Sequence, residues 1–349
     1  GVKNNPCLDI ADRLLFTPDL LAYWLSGVQS NERTVTSTSQ LYDPIKRDWA
    51  WEVIDALGLP RKMFGNIVSS GTVLGPLTEA VAHKAGVSHT LQVVASAGHD
   101  TVSAVAGLPM ERGGLWLSSG TWSILGVESE KPVTTTAAYE AKLSNEGGVN
   151  KTTRLLHNVS GLWIIQECRR YWAERGEEMS YAELARLAEE AQPHTAYIDP
   201  NDPVFATPGD MPEKIEAFCE RTGQAIPKTK GQLLRVATES LALKYRQVVE
   251  SLQGVTGRSF DKLHAGGGGI QNALLAQATA DALGIPVVAG PVEATSCGNI
   301  ITQMVATGDL KDITEGRSLV AKSMETITYT PQASADWQEP YQKFLNLIA

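Results

Sequence analysis

An α/β fold is predicted by three observations. Residues 262–289 read as a short strand, a glycine loop, a helix and a second strand, which together make a βαβ unit. Elsewhere, apolar runs of strand length alternate with stretches of helical period. The composition, 43% hydrophobic and 20% charged, is that of a packed chain rather than a disordered one or a coiled coil. At roughly 150 residues per domain, 349 residues suggest two domains. A chain of this length can bury a core without disulfides or metals.

Thr17-Pro18-Asp19 predicts a helix start, with Thr17 as N-cap, Pro18 at the first helical position and Gly27 as the stop. Residues 49–57 predict a second helix closed by Gly58 and Pro60, and residues 71–76 a loop. Residues 77–84 predict a short helix ending at Gly86, and residues 91–96 a strand. Gly98-His99-Asp100-Thr101 follows that strand. Residues 113–126 read as a β-hairpin with a small, donor-rich tip, Ser118-Ser119-Gly120-Thr121. The Pro/Gly punctuation at 109–114 marks the domain boundary, giving domains at 1–108 and 109–349. Asn145-Glu146-Gly147-Gly148 begins a polar turn. Helical periods follow at 161–174 and 181–192, then a Pro/Asp/Gly-rich surface loop at 199–212. The longest helical pattern is 231–252, with Leu234, Ala237, Leu241, Tyr245, Val248 and Leu252 on its apolar face.

A net charge of −9 disfavours a nucleic-acid binder, which needs a basic face. No apolar run approaches the ~18 residues of a membrane span, and no signal sequence opens the chain. The first residue is Gly rather than Met, so the chain is read as processed, trimmed or a fragment. The four cysteines form no CxxC motif and fit free thiols in a reducing cytoplasm. HExxH and G-x-S-x-G are absent.

Three segments carry chemistry. The run Gly266 to Gly269 between strand and helix lets backbone approach a ligand, and the helix start offers amides to anions. It fits neither the dinucleotide fingerprint nor a P-loop, and a tight packing turn is the alternative. The hairpin tip could hold phosphate oxygens, or be an ordinary polar turn. Asp100, at the carboxyl end of a strand, suits a general base or a helix cap. Asn158 and Gln166 carry no signal as single residues.

In order, the segments are Gly-His-Asp-Thr after a strand, Leu-Ser-Ser-Gly-Thr-Trp-Ser, Asn-Glu-Gly-Gly-Val-Asn and Ala-Gly-Gly-Gly-Gly-Ile-Gln-Asn. Together they resemble the FGGY family of carbohydrate kinases, over residues 14 to about 310. The likeness is to the branch acting on L-rhamnulose, through His99-Asp100-Thr101, residues 118–123 with Trp122, and residues 145–163. The resemblance implies an actin-like (ribonuclease-H-like) two-domain ATPase fold, with sugar on the first domain and ATP mainly on the second. It implies that Asp100 is the catalytic base, taking the proton of the sugar 1-hydroxyl as that oxygen attacks the γ-phosphate of Mg-ATP. It implies that His99, Asp100, Thr101 and Asn158 bind sugar, and that Gly120, Thr121, Gln166, Gly267, Gly268 and Gly269 bind ATP, with the glycine register open by one residue. The metal ligands and the oligomeric state are left open. Expected partners are a small sugar and ATP with Mg2+; no nucleic acid or membrane is expected. Family members begin with an Asp-x-Gly-type phosphate loop that this chain lacks, so the first domain is expected to be incomplete. The alternatives are a catalytically inactive sugar- or nucleotide-binding protein, or a kinase of another ketose such as L-fuculose or xylulose.

Overall fold

The computed structural model describes residues 5–348; Gly1 to Asn4 of the Met-less opening, and Ala349, lie outside them. Its centre is a seven-stranded mixed sheet: β1 (Leu115–Ser119), β2 (Ser123–Ser129), β3 (Ser144–Gly147), β4 (Thr153–Val159), β5 (Leu263–Gly266), β6 (Val287–Ala289) and β7 (Ile327–Tyr329). The strand order is β7-β6-β5-β1-β2-β4-β3. β5 runs parallel to both β1 and β6, and the other pairs are antiparallel.

Alternation along these strands assigns the two faces of the sheet. Leu115, Leu117, Leu125, Val127 and Leu155 face one core, against helices at Lys230–Thr256, Ala273–Leu283 and Gln338–Ile348. Trp116 and Leu156 face the other, against the helix Asp100–Gly107 and Ala294 at the start of the helix Ala294–Thr307. A satellite core joins helices Trp163–Ala173, Tyr181–Glu190 and Met211–Arg221. The 27-residue helix Lys230–Thr256 spans roughly 40 Å at 1.5 Å per residue and serves both this core and the first.

Before residue 100 the chain forms short pieces. Asn31–Glu32 pairs parallel with Ile67–Val68, and Thr72–Pro76 pairs antiparallel with Gln92–Ala95. Residues 71–76, expected as loop, are therefore largely strand; backbone pairing with Gln92–Ala95 outweighs the Gly/Pro content. The polar turn expected at 145–148 is mostly the edge strand β3, because β4 offers it a free ladder. The first helix runs Thr17–Ser26 with Phe16, not Thr17, as N-cap, and Gly27 closes it in the left-handed region. The second is shorter than expected, Trp51–Ala56, since Trp49 pairs with Tyr42. The surface loop expected at 199–212 is partly core: Phe205 and Met211 are fully buried, and Met211 begins a helix.

Candidate active site

Asp100 is the first residue of the helix Asp100–Gly107, and His99 is its N-cap, with Nδ1 3.2 Å from the Thr101 amide. The capping role considered for Asp100 thus falls to His99. The Asp100 carboxylate is exposed, but its Oδ1 is held from one side by the Thr101 amide (2.6 Å) and hydroxyl (3.2 Å). From the other side His99 Nδ1 stands 3.0 Å away. The Thr101 amide keeps its shorter bond to Asp100 when Nδ1, carrying a proton, gives up the acceptor role and donates to Oδ1. That hydrogen bond is the largest cause holding the Asp100 carboxyl down at about 2; the imidazole charge and the Thr101 donors add to it. Asp100 is therefore an ionised, solvent-exposed acceptor at neutral pH, at the positive end of a helix.

Behind this pair lies a buried polar network. Glu32 Oε2 accepts from the amides of Thr34 (2.9 Å) and Gly98 (3.2 Å) and from the Thr34 hydroxyl, while Oε1 accepts from Ser70 (2.7 Å). Glu32 is 2% exposed, so these donors replace the water it has lost. They also tie the Gly98-His99 turn to the segment after the strand Asn31–Glu32. Asp19, equally buried, accepts from the Glu32 amide at 2.9 Å. Burial, with the Glu32 charge beside it, pushes its carboxyl up to about 6. On the far side of His99, Nε2 lies 3.6 Å from Glu146 on β3, and Glu146 is bound by the fully buried Arg154 at 2.6 Å.

The second feature is a cavity of about 550 Å³ in the range of small-ligand sites. Its rim is backbone: Gly120 and Thr121 from the β1–β2 turn, Gly268 and Gly269 from the loop after β5. Its wall is apolar, with Leu162, Ile165, Ala185, Ala188 and Leu234, and its polar groups include Gln166, Thr238, Gln271 and Asn272. The turn is pinned to the helix Trp163–Ala173: the Leu162 and Trp163 amides donate to the carbonyls of Gly120 (3.1 Å) and Thr121 (3.0 Å). Gly161 permits this approach. Its φ is +57°, and a Cβ there would lie 2.5 Å from the Ser123 nitrogen. The glycines after β5 differ in their work. Gly267 has φ +93° and a Cβ would meet the Ser119 carbonyl at 2.6 Å. A Cβ on Gly269 would overlap the Ser119 hydroxyl, whereas Gly268 faces open space. Of the glycines in the ATP set, Gly120, Gly268 and Gly269 line the cavity with Thr121 and Gln166; Gly267 shapes the loop from behind.

The cavity lies at one edge of the sheet: β1 and β5 are parallel and both end there, and the turn 120–122 and the glycine loop emerge from it. The helix Ala294–Thr307 also starts near it, beside Gly266, and its Thr295 hydroxyl reaches the Asp100 carbonyl at 3.5 Å. Ligands in α/β sheets sit outside the carboxyl ends of strands, which is where both features lie. Asn158 is exposed on β4, opposite Ile124 of β2 and four residues or roughly 13 Å along the strand from Arg154, its carbonyl accepting from Asn201.

Family models match at two places. The model for the FGGY family of carbohydrate kinases, N-terminal domain, matches residues 5–107, and the C-terminal domain model matches residues 115–307. The chain belongs to the FGGY family of carbohydrate kinases. A rhamnulokinase of Bacteroides thetaiotaomicron is 42% identical over 347 residues, 99% of this chain and 70% of that protein. A rhamnulokinase of Enterococcus faecalis is 40% identical over 332 residues, covering 94% and 66%. Among solved structures, ligand-bound xylulose kinase from Lactobacillus acidophilus superposes with TM-score 0.77 at 13% identity, covering 97% of this chain and 67% of that one. Gluconate kinase from the same organism superposes with TM-score 0.75 at 14% identity, covering 95% and 66%. These likenesses carry the actin-like, ribonuclease-H-like fold that the resemblance implied. The chain spans about two thirds of the length of each of these four proteins.

The sequence alone did not mark Glu32, Glu146 and Arg154 as candidate residues. A signal for Arg154 was present: an arginine between Thr153 and Leu155-Leu156 in a strand-length apolar run needs a buried partner. Glu146 sits inside the Asn-Glu-Gly-Gly-Val-Asn motif, but its partner, eight residues on, is set by sheet register.

Proposed function

We propose that this FGGY kinase chain transfers the γ-phosphoryl group of Mg-ATP to the 1-hydroxyl of L-rhamnulose, giving L-rhamnulose 1-phosphate and ADP. The observation that carries the reading is the pairing of an ionised carboxylate at a helix start with a glycine-rimmed cavity at the ends of the parallel strands β1 and β5, the helix Ala294–Thr307 starting beside both. The relatives named rhamnulokinase support the choice of sugar.

Asp100 accepts the hydroxyl proton. A carboxylate held near 2 is a weak base, which suits a transfer whose loose transition state needs little nucleophile activation before the phosphoryl group moves. Its main work is to hold and aim the attacking oxygen, and to take the proton as the O–P bond forms and the bond to the ADP oxygen breaks. His99 and Thr101 fix the carboxylate and face the sugar; Asn158 is the more distant member of the sugar set. The backbone of Gly120 and Thr121 holds phosphates, Gln166 reaches the nucleotide, and Gly267 to Gly269 leave room for adenosine. Among the described residues no group of three His, Cys, Asp or Glu is arranged to hold a metal. Mg2+ is commonly held largely by phosphate and water, and it enters here on the nucleotide. We divide the chain into a sugar unit, 1–108, and a nucleotide unit, 109–349. Free thiols at Cys7, Cys168, Cys219 and Cys297 suit a reducing cytoplasm. No helix among the described residues is long and apolar enough to cross a membrane.

The test is ADP release with Mg-ATP and a panel of L-rhamnulose, L-fuculose and xylulose. Release that depends on L-rhamnulose, with lower kcat/KM for the other two, is expected. Nucleotide binding with no release on any ketose would overturn the reading in favour of a binding protein.

A further inference from the structure

Arg154 is fully buried, and a buried guanidinium needs a carboxylate. It finds Glu146 directly opposite on the neighbouring strand, Nη2 to Oε2 at 2.6 Å, and donates Nε to the Gly147 carbonyl at 3.3 Å. Its guanidinium lies 5.7 Å from the Trp116 ring centre, over the face of the sheet on which the helix Asp100–Gly107 packs. Nη1 has no hydrogen-bond partner among the described residues. The same Glu146 oxygen faces His99 Nε2 at 3.6 Å, and the other ring nitrogen faces Asp100 at 3.0 Å. The order Arg154, Glu146, His99, Asp100 thus sets an imidazole between two carboxylates, one of them held by a guanidinium. It begins on the sheet and ends at the carboxylate that receives the substrate proton.

The geometry also links the two units. Glu146 and Arg154 belong to the sheet, whereas His99 and Asp100 follow the strand Gln92–Ala95. The same junction is gripped nearby by Arg33, which donates to the carbonyls of Gly148 and Thr152 (3.3 Å to the latter), and by the Gly147 amide, which donates to Ser37 at 2.7 Å. A ring nitrogen aimed at a fixed carboxylate holds the imidazole in one orientation, as a second carboxylate does for catalytic histidines generally. Resting on the kinase reading above, we propose that Glu146, held by Arg154, is a positioning residue for the reaction: it orients the His99 ring across the junction, and through that ring the Asp100 carboxylate. Neither Glu146 nor Arg154 needs to touch the sugar for this.

The test combines kinetics with a spectroscopic readout. Glu146→Gln keeps a hydrogen-bond partner for Arg154 but removes the charge opposite His99. Its kcat should fall about 10- to 100-fold, the range for a misaligned reacting group, while the KM for sugar stays within about twofold. In protein carrying 15N-histidine, the His99 ring nitrogen signals should move in Glu146→Gln. His99→Asn combined with Glu146→Gln should be no slower than His99→Asn alone, because both act through one ring. Additive losses in the double variant, or unmoved His99 signals with the fold intact by circular dichroism, would overturn the proposal. If the parent chain shows no sugar-dependent release, the kinase reading fails and the nitrogen spectra still decide whether Glu146 sets the ring.

Discussion

At the scale of the residue, two carboxylates a short way apart have opposite environments. Asp100 has donors and solvent; Asp19 has donors but no solvent. Asp100 is ionised throughout the working pH range, so Asp100→Asn removes an acceptor that is always present. Turnover should fall by about 10²–10⁴ with sugar affinity kept, read by ADP release and by sugar titration. Asp19 works against stability as pH rises. Its folded carboxyl titrates at about 6, above the ordinary aspartate value of 3.8. Below pH 3.8 both states hold the proton and nothing is lost. Between 3.8 and 6 the unfolded chain ionises freely while the folded one keeps its proton, so stability declines, in all by about 3 kcal/mol. Asp19→Asn should flatten that part of the stability profile, measured by urea unfolding at pH 4 and pH 7. An unchanged slope would show that Asp19 ionises without cost in the fold.

At the scale of the element, the glycine loop after β5 separates folding from binding within three residues. Gly267 is required by its φ of +93° and by the Ser119 carbonyl, while Gly268 faces open space at the cavity rim. Gly267→Ala should therefore cost stability, about 1–3 kcal/mol as strain and overpacking. Gly268→Ala should leave the melting temperature nearly unchanged and raise the KM for ATP, because the new methyl projects into the space a nucleotide would fill. Melting curves with and without ATP separate the two. The sequence showed that a glycine loop follows a strand. It left the register open because four consecutive glycines read alike until the Ser119 backbone is placed against them.

At the scale of the whole molecule, the helix that bears Asp100 is clamped onto the rest of the chain. Gly107 and Gly298 have no room for a Cβ: one would strike the Ala294 carbonyl and the other the Ser103 carbonyl, so the helices Asp100–Gly107 and Ala294–Thr307 cross backbone to backbone. A buried pair adds to this. Arg317 binds Glu128 of β2 through both terminal nitrogens (3.0 and 2.9 Å) and donates to the Val105 carbonyl at 2.9 Å. Arg317→Ala would leave the Glu128 charge buried and alone, so about 3–5 kcal/mol of stability should be lost. Turnover measured well below the melting temperature should change little, since the pair lies far along the helix from its Asp100 end. Urea unfolding and a rate at low temperature check both halves.

The sequence by itself determined the α/β class, the βαβ unit, a hairpin over 113–126, which the structure carries on to Ser129, and the longest helix. Each follows from local periodicity, from glycine at a helix end or from turn chemistry, all of which act over a few residues. It also singled out Asp100 and the glycine loop as candidates, because their motifs are contiguous. Only the tertiary structure decided the rest. The Gly71–Pro76 stretch became strand when Gln92–Ala95 paired with it, and Phe205 went into the core when the helices of the satellite cluster closed over it. Glu146 met Arg154 and His99 through register and packing between segments distant in the chain. Such contacts are fixed by which surfaces can be buried together and which buried charges can find a partner. No local pattern of residues encodes either one.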